Sequence, residues 1–147
     1  MAVSEQDAVA IHKLLMLMAL EAPLLPVNPI KTMNWVIEII RDGAALMAID
    51  GDRLVATLGL KLARFQYSDT PFLGEQWLWC LPQHRDGDAL KALFAEAKAI
   101  GEESGRLVLI SILNASRVRG PRTKMTKIAE LVGYAPLGSV IAFPEGN

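Results

Sequence analysis

The segment between Trp77 and Gly101 has the residue types and the spacing of an anion-binding turn. An apolar strand leads into a turn that contains Arg85 and Gly87, and an amphipathic helix follows. The first turn of a helix has free backbone N–H groups and the positive end of the helix dipole, and both favour a phosphate. The segment therefore predicts a phosphate-binding turn. The alternative is a turn that only starts a helix.

The other reactive side chains do not form a second constellation. Cys80 alternates with its neighbours along an apolar strand, and no histidine or acid is spaced to activate it, so we expect a packed thiol. His12 and His84 are far apart, and with one cysteine they make no ligand set at zinc spacing. We therefore expect neither a cysteine nucleophile nor a metal site.

Composition predicts a single domain over residues 1–147. The chain is 52% hydrophobic with a formal net charge of −1, which suits a globular core and gives no reason to expect nucleic acid or an anionic membrane as partner. A single cysteine excludes an internal disulfide and predicts a reducing, cytoplasmic compartment. The apolar run Leu14–Leu20 is far shorter than the roughly 20 residues of a membrane span, so we interpret it as a buried core helix.

Helix signals dominate the N-terminal third. Ser4, with Asp7 three residues later, predicts the start of a first helix that runs to about Glu21. The pair Asn28-Pro29 predicts the start of a second helix, which ends at Gly43. The predicted inward stripe of this second helix is Ile30, Met33, Ile37 and Ile40.

Strand and helix patterns then alternate. The predicted strands are Ala44–Ile49, Leu54–Leu62, Gln76–Leu81, Arg106–Leu113 and Ser139–Phe143. The first two form a hairpin at Asp50-Gly51, and the third places Trp77 and Trp79 on one face. A third helix has the inward face Leu90, Leu93, Phe94, Ala97 and Ile100, and a fourth begins at Pro121 and ends at Gly133. The order α-α-β-β-β-α-β-α-β predicts an α/β fold with a mixed central sheet flanked by helices.

Three motifs in this order resemble those of the GNAT acetyltransferase superfamily. They are the strand, turn and helix start around Leu81–Ala89, the apolar strand that ends in Asn114, and the helix end Ile128–Tyr134. The resemblance covers essentially the whole chain, and the short length is similar to that of phage or prophage members. It implies a GNAT-like acyl-CoA N-acyltransferase fold and direct transfer of acetyl from acetyl-CoA to an unidentified amine.

The resemblance also implies roles for particular residues. By position, the backbone of Trp79, Cys80 and Leu81 would face pantetheine, and Arg85, Asp86, Gly87, Asp88 and Ala89 would hold the pyrophosphate. Glu75 would be the general base. Asn114 would contact the cofactor, with a turn-forming asparagine as the alternative. The implied partners are a small-molecule or peptide amine, and the family also suggests a homodimer.

Two features of the chain depart from the family pattern. Asp86 and Asp88 place two carboxylates where a polyanion would bind, and Arg85 and Lys91 only neutralise them. Ala129 stands where many relatives have a tyrosine acid. These departures keep open a second hypothesis, a catalytically degenerate domain that binds CoA or another protein. A third is an unrelated α/β protein.

The predicted acceptor pocket lies between Ala22–Asn28 and Gln66–Gly74, where the resemblance places it. A stretch without acids follows Asn114 and contains Arg117, Arg119, Arg122, Lys124 and Lys127. It is either a solvated basic loop or a contact for the CoA 3′-phosphate or an acidic substrate.

Overall fold

A mixed four-stranded sheet with helices packed against it forms the body of the protein. The computed structural model describes residues 1–21, 26–85, 87–111 and 124–135. The helices are α1 (Glu5–Glu21), α2 (Pro29–Asp42), α3 (Asp88–Ser104) and α4 (Lys124–Val132). The strands are β1 (Ala44–Asp50), β2 (Arg53–Ala63), β3 (Phe72–Cys80) and β4 (Val108–Leu109), in the sheet order β1-β2-β3-β4.

The predicted α/β order is confirmed through α4. The pairs β1–β2 and β2–β3 are antiparallel, and β3–β4 is parallel. The predicted last strand, Ser139–Phe143, lies outside the described residues, as does the predicted helix start at Pro121. In the part of the chain that the structure describes, no helix has both the length and the apolar character needed to cross a bilayer.

Both predicted N-terminal caps are present. The backbone N–H of Asp7 donates to the Ser4 hydroxyl, and the backbone N–H of Ser4 donates to the Asp7 carboxylate, each over 3.1 Å. The backbone N–H groups of Val3 and Ser4 hold the pKa of Asp7 below its usual value. At α2, the side chain of Asn28 accepts a hydrogen bond of 3.0 Å from the N–H of Lys31. These bonds satisfy N–H groups that a helix start leaves without partners.

The predicted inward stripe of α2 is partly wrong. Ile30 and Ile37 are 77% and 46% exposed, whereas Val36 and Ile39 are fully buried. Met33 and Ile40 pack against the core as predicted. Apolar residues occupy more than one side of this helix, so the same i, i+3, i+7 spacing fits two faces. Packing against the sheet selects the face centred on Val36 and Ile39.

A buried hydrogen-bond chain crosses the middle of the sheet. The indole Nε1 of Trp77 donates to the Thr57 hydroxyl over 3.0 Å, and that hydroxyl donates to the carbonyl of Leu46 over 2.8 Å. Gly59 makes room for the indole, because a Cβ there would lie 2.6 Å from the Trp77 ring. On the other side of the indole, Trp35 of α2 meets Trp77 edge-on, with 5.0 Å between ring centroids. Trp77 therefore faces α2, as its strand register requires.

The start of β3 differs from the prediction. The strand begins at Phe72 rather than Gln76, so Glu75 lies inside it, and Gly74 is a paired strand residue rather than a turn. Lys61 of β2 pairs with Gly74, and this pairing extends the hairpin beyond the apolar run that the sequence displays. Glu75 is consequently held in the sheet by its pairing with Leu60 of β2.

A bulge in β3 sets the direction of Glu75. Gly59 pairs with Trp77, but the next residue of β2, Leu60, pairs with Glu75, so Gln76 is the extra residue. Adjacent residues of β2 point to opposite faces, and the bulge therefore places Glu75 on the face opposite Trp77. The side chain of Gln76 accepts a hydrogen bond of 3.2 Å from the Trp35 indole. This bond anchors the bulge to α2.

The predicted strand Arg106–Leu113 is much shorter in the structure. Within its described part, which ends at Ser111, only Val108 and Leu109 pair with β3. The backbone N–H of Ser111 donates to the side chain of Glu75 and so does not take part in a strand ladder. The helix between them agrees with prediction: its buried residues include Leu90, Leu93, Phe94 and Ala97, and it ends at Gly105 in the left-handed conformation (φ 66°).

The hydrogen-bond chain through Thr57 yields a stability prediction. In Thr57→Val, the buried Trp77 N–H loses its acceptor, and we expect a loss of about 1–3 kcal/mol in the free energy of unfolding in urea. Thr57→Ser keeps the hydroxyl and removes one methyl group, so we expect a loss of about 1 kcal/mol or less. Equal losses in the two variants would show that the hydroxyl contributes nothing.

Candidate functional site

Beyond Gly74, no described strand lies against the edge of β3 that faces β4, and we call this part the open edge. The two strands pair at Leu73 with Val108 and at Gly74 with Leu109. The N–H of Leu81 donates to the carbonyl of Val55 in β2. Backbone groups alternate along a strand, so those of Leu78 and Cys80 point towards the open edge, where the Cys80 carbonyl accepts a hydrogen bond from Arg85. Among the described residues, strand backbone at this edge can therefore meet a ligand at Leu78.

Glu75 lies where β3 and β4 part. Its carboxylate accepts a hydrogen bond from the backbone N–H of Ser111, two residues beyond β4. Burial raises the pKa of Glu75 to about 7, although the Ser111 hydrogen bond opposes this shift. Burial disfavours the charged carboxylate, whereas a donated N–H favours it. A carboxyl group that is half ionised near neutral pH is well suited to accept a proton.

The other end of the open edge leads into the turn before α3. A short 3₁₀ helix, Pro82–His84, follows β3, and Gly87 is the N-cap of α3 without a side-chain hydrogen bond. A Cβ at Gly87 would meet only the carbonyl oxygen of His84, at 3.8 Å. Asp88 and Ala89 lie in the first turn of α3, whose N–H groups have no partner within a helix. The described residues of the predicted phosphate turn thus place a helix N-terminus directly after β3 and the 3₁₀ helix.

Arg85 binds three groups around this turn. Its Nε donates to the carbonyl of Cys80 over 3.0 Å, and its two terminal nitrogens donate to the carboxylate of Glu21 over 3.0 and 3.1 Å. The guanidinium also lies over the Trp79 ring, 4.5 Å from the centroid. Arg85 thus connects the end of β3 to the end of α1.

The structure brings some of the predicted site residues together. Trp79, Cys80 and Arg85 are in contact, and Gly87 begins the helix directly after them. The indole Nε1 of Trp79 is buried and has no hydrogen-bond partner among the described residues. Glu75 lies five residues before Cys80, about 17 Å away along an extended strand. Asp86 and Asn114 lie outside the described residues.

The positions that resemblance connects with the catalytic acid are apolar or already bonded. Ala129 is buried, with 6% of its surface exposed. The hydroxyl of Tyr134 donates to the carbonyl of Phe94 over 2.9 Å, and burial raises the pKa of Tyr134 to about 12. The two rings pack with 5.7 Å between centroids. Tyr134 is therefore a packing residue.

Sequence reasoning missed two participants in the site. Glu21 is 64 residues from its partner Arg85, and Ser111 contributes through its backbone N–H, which has no sequence signature. The sequence does contain one indication that Glu21 needs a partner. Glu21 ends a helix that has no basic residue in its last turn, and the helix dipole disfavours a negative charge there.

The raised pKa of Glu75 yields a prediction about stability and pH. The folded pKa is about 7 and the ordinary value is 4.5, so the folded state binds the proton more tightly. The resulting stabilisation is complete below about pH 4.5 and disappears as the pH rises through 7. From pH 4.5 to 8, we expect urea unfolding to show the wild type losing about 1–3 kcal/mol relative to Glu75→Gln. If the difference in unfolding free energy between the two proteins stayed constant over this pH range, a raised pKa of Glu75 would be contradicted.

Comparison with known proteins identifies solved structures of the same shape. No family model matches the sequence, and no curated protein matches it. The structure of AAC(6')-Iy in complex with the bisubstrate analogue CoA-S-monomethyl-acetylneamine superimposes with a TM-score of 0.66, at 15% identity, over 97% of this chain and 94% of that one. The same aminoglycoside N-acetyltransferase in complex with CoA gives a TM-score of 0.64, at 16% identity, over 97% and 90% of the two chains.

A third structure differs in the substrate that its name states. The ribosomal-protein-alanine N-acetyltransferase from Brucella melitensis biovar Abortus 2308 superimposes with a TM-score of 0.60, at 22% identity, over 96% of this chain and 94% of that one. All three likenesses extend over nearly the whole of both chains. The chain therefore has the GNAT acetyltransferase fold.

Proposed function

We propose that this protein is an acetyl-CoA-dependent N-acetyltransferase that transfers the acetyl group directly to an amine. The observation that carries the proposal is the open edge of β3. It runs from a carboxyl group with a pKa of about 7 at Glu75 to an uncapped helix N-terminus at Gly87. A long thioester that ends in a diphosphate matches such an edge. Two of the similar structures hold CoA or a CoA analogue.

The residues at this edge fit acetyl-CoA as a substrate. Backbone groups of Leu78 point towards the open edge and suit the amides of the pantetheine arm, whereas the predicted contact Leu81 donates its N–H to Val55 in β2. The N–H groups from Arg85 to Ala89 would hold the pyrophosphate. The buried indole N–H of Trp79 lacks an acceptor among the described residues, and an acceptor-rich ligand would provide one. Asp88 opposes the diphosphate charge, and main-chain donors must therefore supply much of the affinity.

Glu75 is assigned as the general base. In the reaction, the amine nitrogen forms a bond to the acetyl carbon, and the bond between that carbon and the CoA sulfur breaks. The amine must first lose its ammonium proton, which the Glu75 carboxylate accepts. The leaving thiolate takes a proton from solvent in this proposal, because Ala129 has no proton to give and Tyr134 is bonded to Phe94. Alignment of the two reactants supplies a further part of the rate enhancement.

The acceptor is assigned only as a small-molecule or peptide amine. Among the similar structures, one enzyme is named for aminoglycosides and another for the alanine of a ribosomal protein. Both kinds of acceptor have an amine that is protonated at neutral pH, which is the form that requires a base. A cytoplasmic location and a homodimer stay predictions from the sequence.

A pH-rate profile tests the role of Glu75. We expect kcat/KM for acetyl transfer to an amine panel to rise with pH through about 7, as the Glu75 carboxyl loses its proton. Glu75→Gln should lower kcat by about 10²- to 10⁴-fold and remove the rise near pH 7, with CoA affinity unchanged. Glu38→Gln on α2, whose carboxylate binds Lys61, is a matched control and should keep the profile. An unaltered rate in Glu75→Gln would remove Glu75 from the mechanism.

Substitutions at Gly87 test the position of the pyrophosphate. Gly87→Asp adds a carboxylate at the N-cap, which stabilises helices but repels a phosphate, so we expect unchanged or higher stability and CoA binding weaker by about 10-fold. Gly87→Ala is the steric control, because a Cβ there meets only the His84 carbonyl oxygen at 3.8 Å. It should retain most of the affinity in calorimetric titration. Wild-type affinity in Gly87→Asp would show that the phosphate lies elsewhere.

Calorimetry together with the transfer assay distinguishes an enzyme from a binding module. CoA binding with acetyl transfer supports the proposal. Binding without thiol release across the amine panel favours the catalytically degenerate alternative, and no binding at high micromolar CoA overturns both.

A further inference from the structure

Three of the five N–H donors of Arg85 are bonded before any ligand binds, and they include donors from both of its edges. A guanidinium has two edges that can form paired hydrogen bonds, one at the terminal nitrogens and one that includes Nε. In Arg85 the terminal edge binds the carboxylate of Glu21, and the Nε donates to the carbonyl of Cys80. A diphosphate cannot bind Arg85 through either edge unless one of these partners is displaced.

The two partners differ in how easily they can be displaced. The Cys80 carbonyl belongs to β3, directly before the 3₁₀ turn, and its position is fixed by the strand. Glu21 is the last residue of α1, and its side chain is 37% exposed, so water can solvate the carboxylate once it is released. Its charge is also at the end of a helix that disfavours an acid. Glu21 is therefore the partner that can leave.

The stacking of Arg85 on Trp79 fixes where the exchange would occur. The guanidinium carbon lies 4.5 Å from the ring centroid, and the Nε bond to Cys80 holds the plane at the end of the open edge. These two contacts do not involve Glu21. While these two contacts hold the guanidinium beside the turn, displacement of the Glu21 carboxylate frees its terminal edge for another ligand.

We propose that Glu21 is the resident counter-ion of Arg85 and that the CoA diphosphate replaces it, so that Glu21 sets the affinity for CoA. The proposal rests on the proposed function, because it requires CoA at the turn. Bound CoA then takes over the terminal edge of Arg85, and the end of α1 is released from the turn. Glu21 touches neither the reacting atoms nor the diphosphate and acts only by competing for Arg85.

Removal of the competing charge should strengthen CoA binding. We expect Glu21→Gln to bind CoA about 3- to 10-fold more tightly than the wild type in calorimetric titration at low salt, with the gain reduced at high salt. Pantetheine lacks the diphosphate, and its affinity should be the same in both proteins. Glu5→Gln is the control: it removes one acid at the opposite end of α1 without altering a contact of Arg85, and it should leave CoA affinity unchanged.

A double substitution tests whether Arg85 transmits the effect. Arg85→Met should weaken CoA binding, and adding Glu21→Gln to it should produce no further change, because no guanidinium remains to be freed. If Glu21→Gln raised CoA affinity equally in the wild type and in Arg85→Met, the exchange would be overturned and a general charge effect indicated. Glu21→Ala provides a second variant and should show the same direction as Glu21→Gln.

The outcomes separate this inference from the proposed function. If the wild type binds CoA but Glu21→Gln binds it equally or more weakly, the exchange is wrong and the acetyltransferase proposal is unaffected. If Glu21→Gln strengthens CoA and pantetheine alike, the effect is structural and the exchange is also wrong. If the wild type binds no CoA, the proposed function fails, and the exchange fails with it.

Discussion

Among the described residues, β3 and β4 pair at only two positions, and this short pairing is the constraint on which the candidate site depends. A described strand paired beyond Gly74 would satisfy the backbone of Leu78 within the sheet and leave nothing for a ligand. The carboxyl group of Glu75 lies where this pairing ends. An unpaired strand edge has backbone N–H and C=O groups that another molecule can bind.

Charge is distributed unevenly along that edge. At one end, burial keeps Glu75 close to half ionised, so a proton can move on and off it near neutral pH. At the other end, Arg85 is matched by Glu21, and the turn has Asp88 in the first helical turn. The charges at the proposed phosphate turn are thus balanced by the protein's own side chains. A polyanion must gain its affinity from main-chain N–H groups and from rearranged ion pairs, since no excess of positive charge attracts it among the described residues of the turn.

Local signals allowed much of the fold to be predicted. The caps at Ser4 and Asn28, the hairpin and the inward face of α3 all rest on neighbouring residues, and the structure confirms them. The errors arose where tertiary contacts decide. The orientation of α2 depends on which of two apolar faces meets the sheet, and the start of β3 depends on pairing with Lys61. The partner of Arg85 could not be predicted, because contact between α1 and the turn is a property of the whole fold.

The bulge at Gln76 has a consequence for how this chain tolerates change in length. Residues two positions apart in a regular strand point to the same face, but the extra residue Gln76 makes Glu75 and Trp77 point to opposite faces. Deletion of Gln76 would leave Glu75 directly before Trp77 in a regular strand, and adjacent strand residues point to opposite faces, so both side chains would keep their sides. A residue lost from the regular part of β3 has no such compensation and would turn the side chains on one side of the loss to the opposite face. The bulge is therefore a place where β3 can be shortened by one residue without exchanging its two faces.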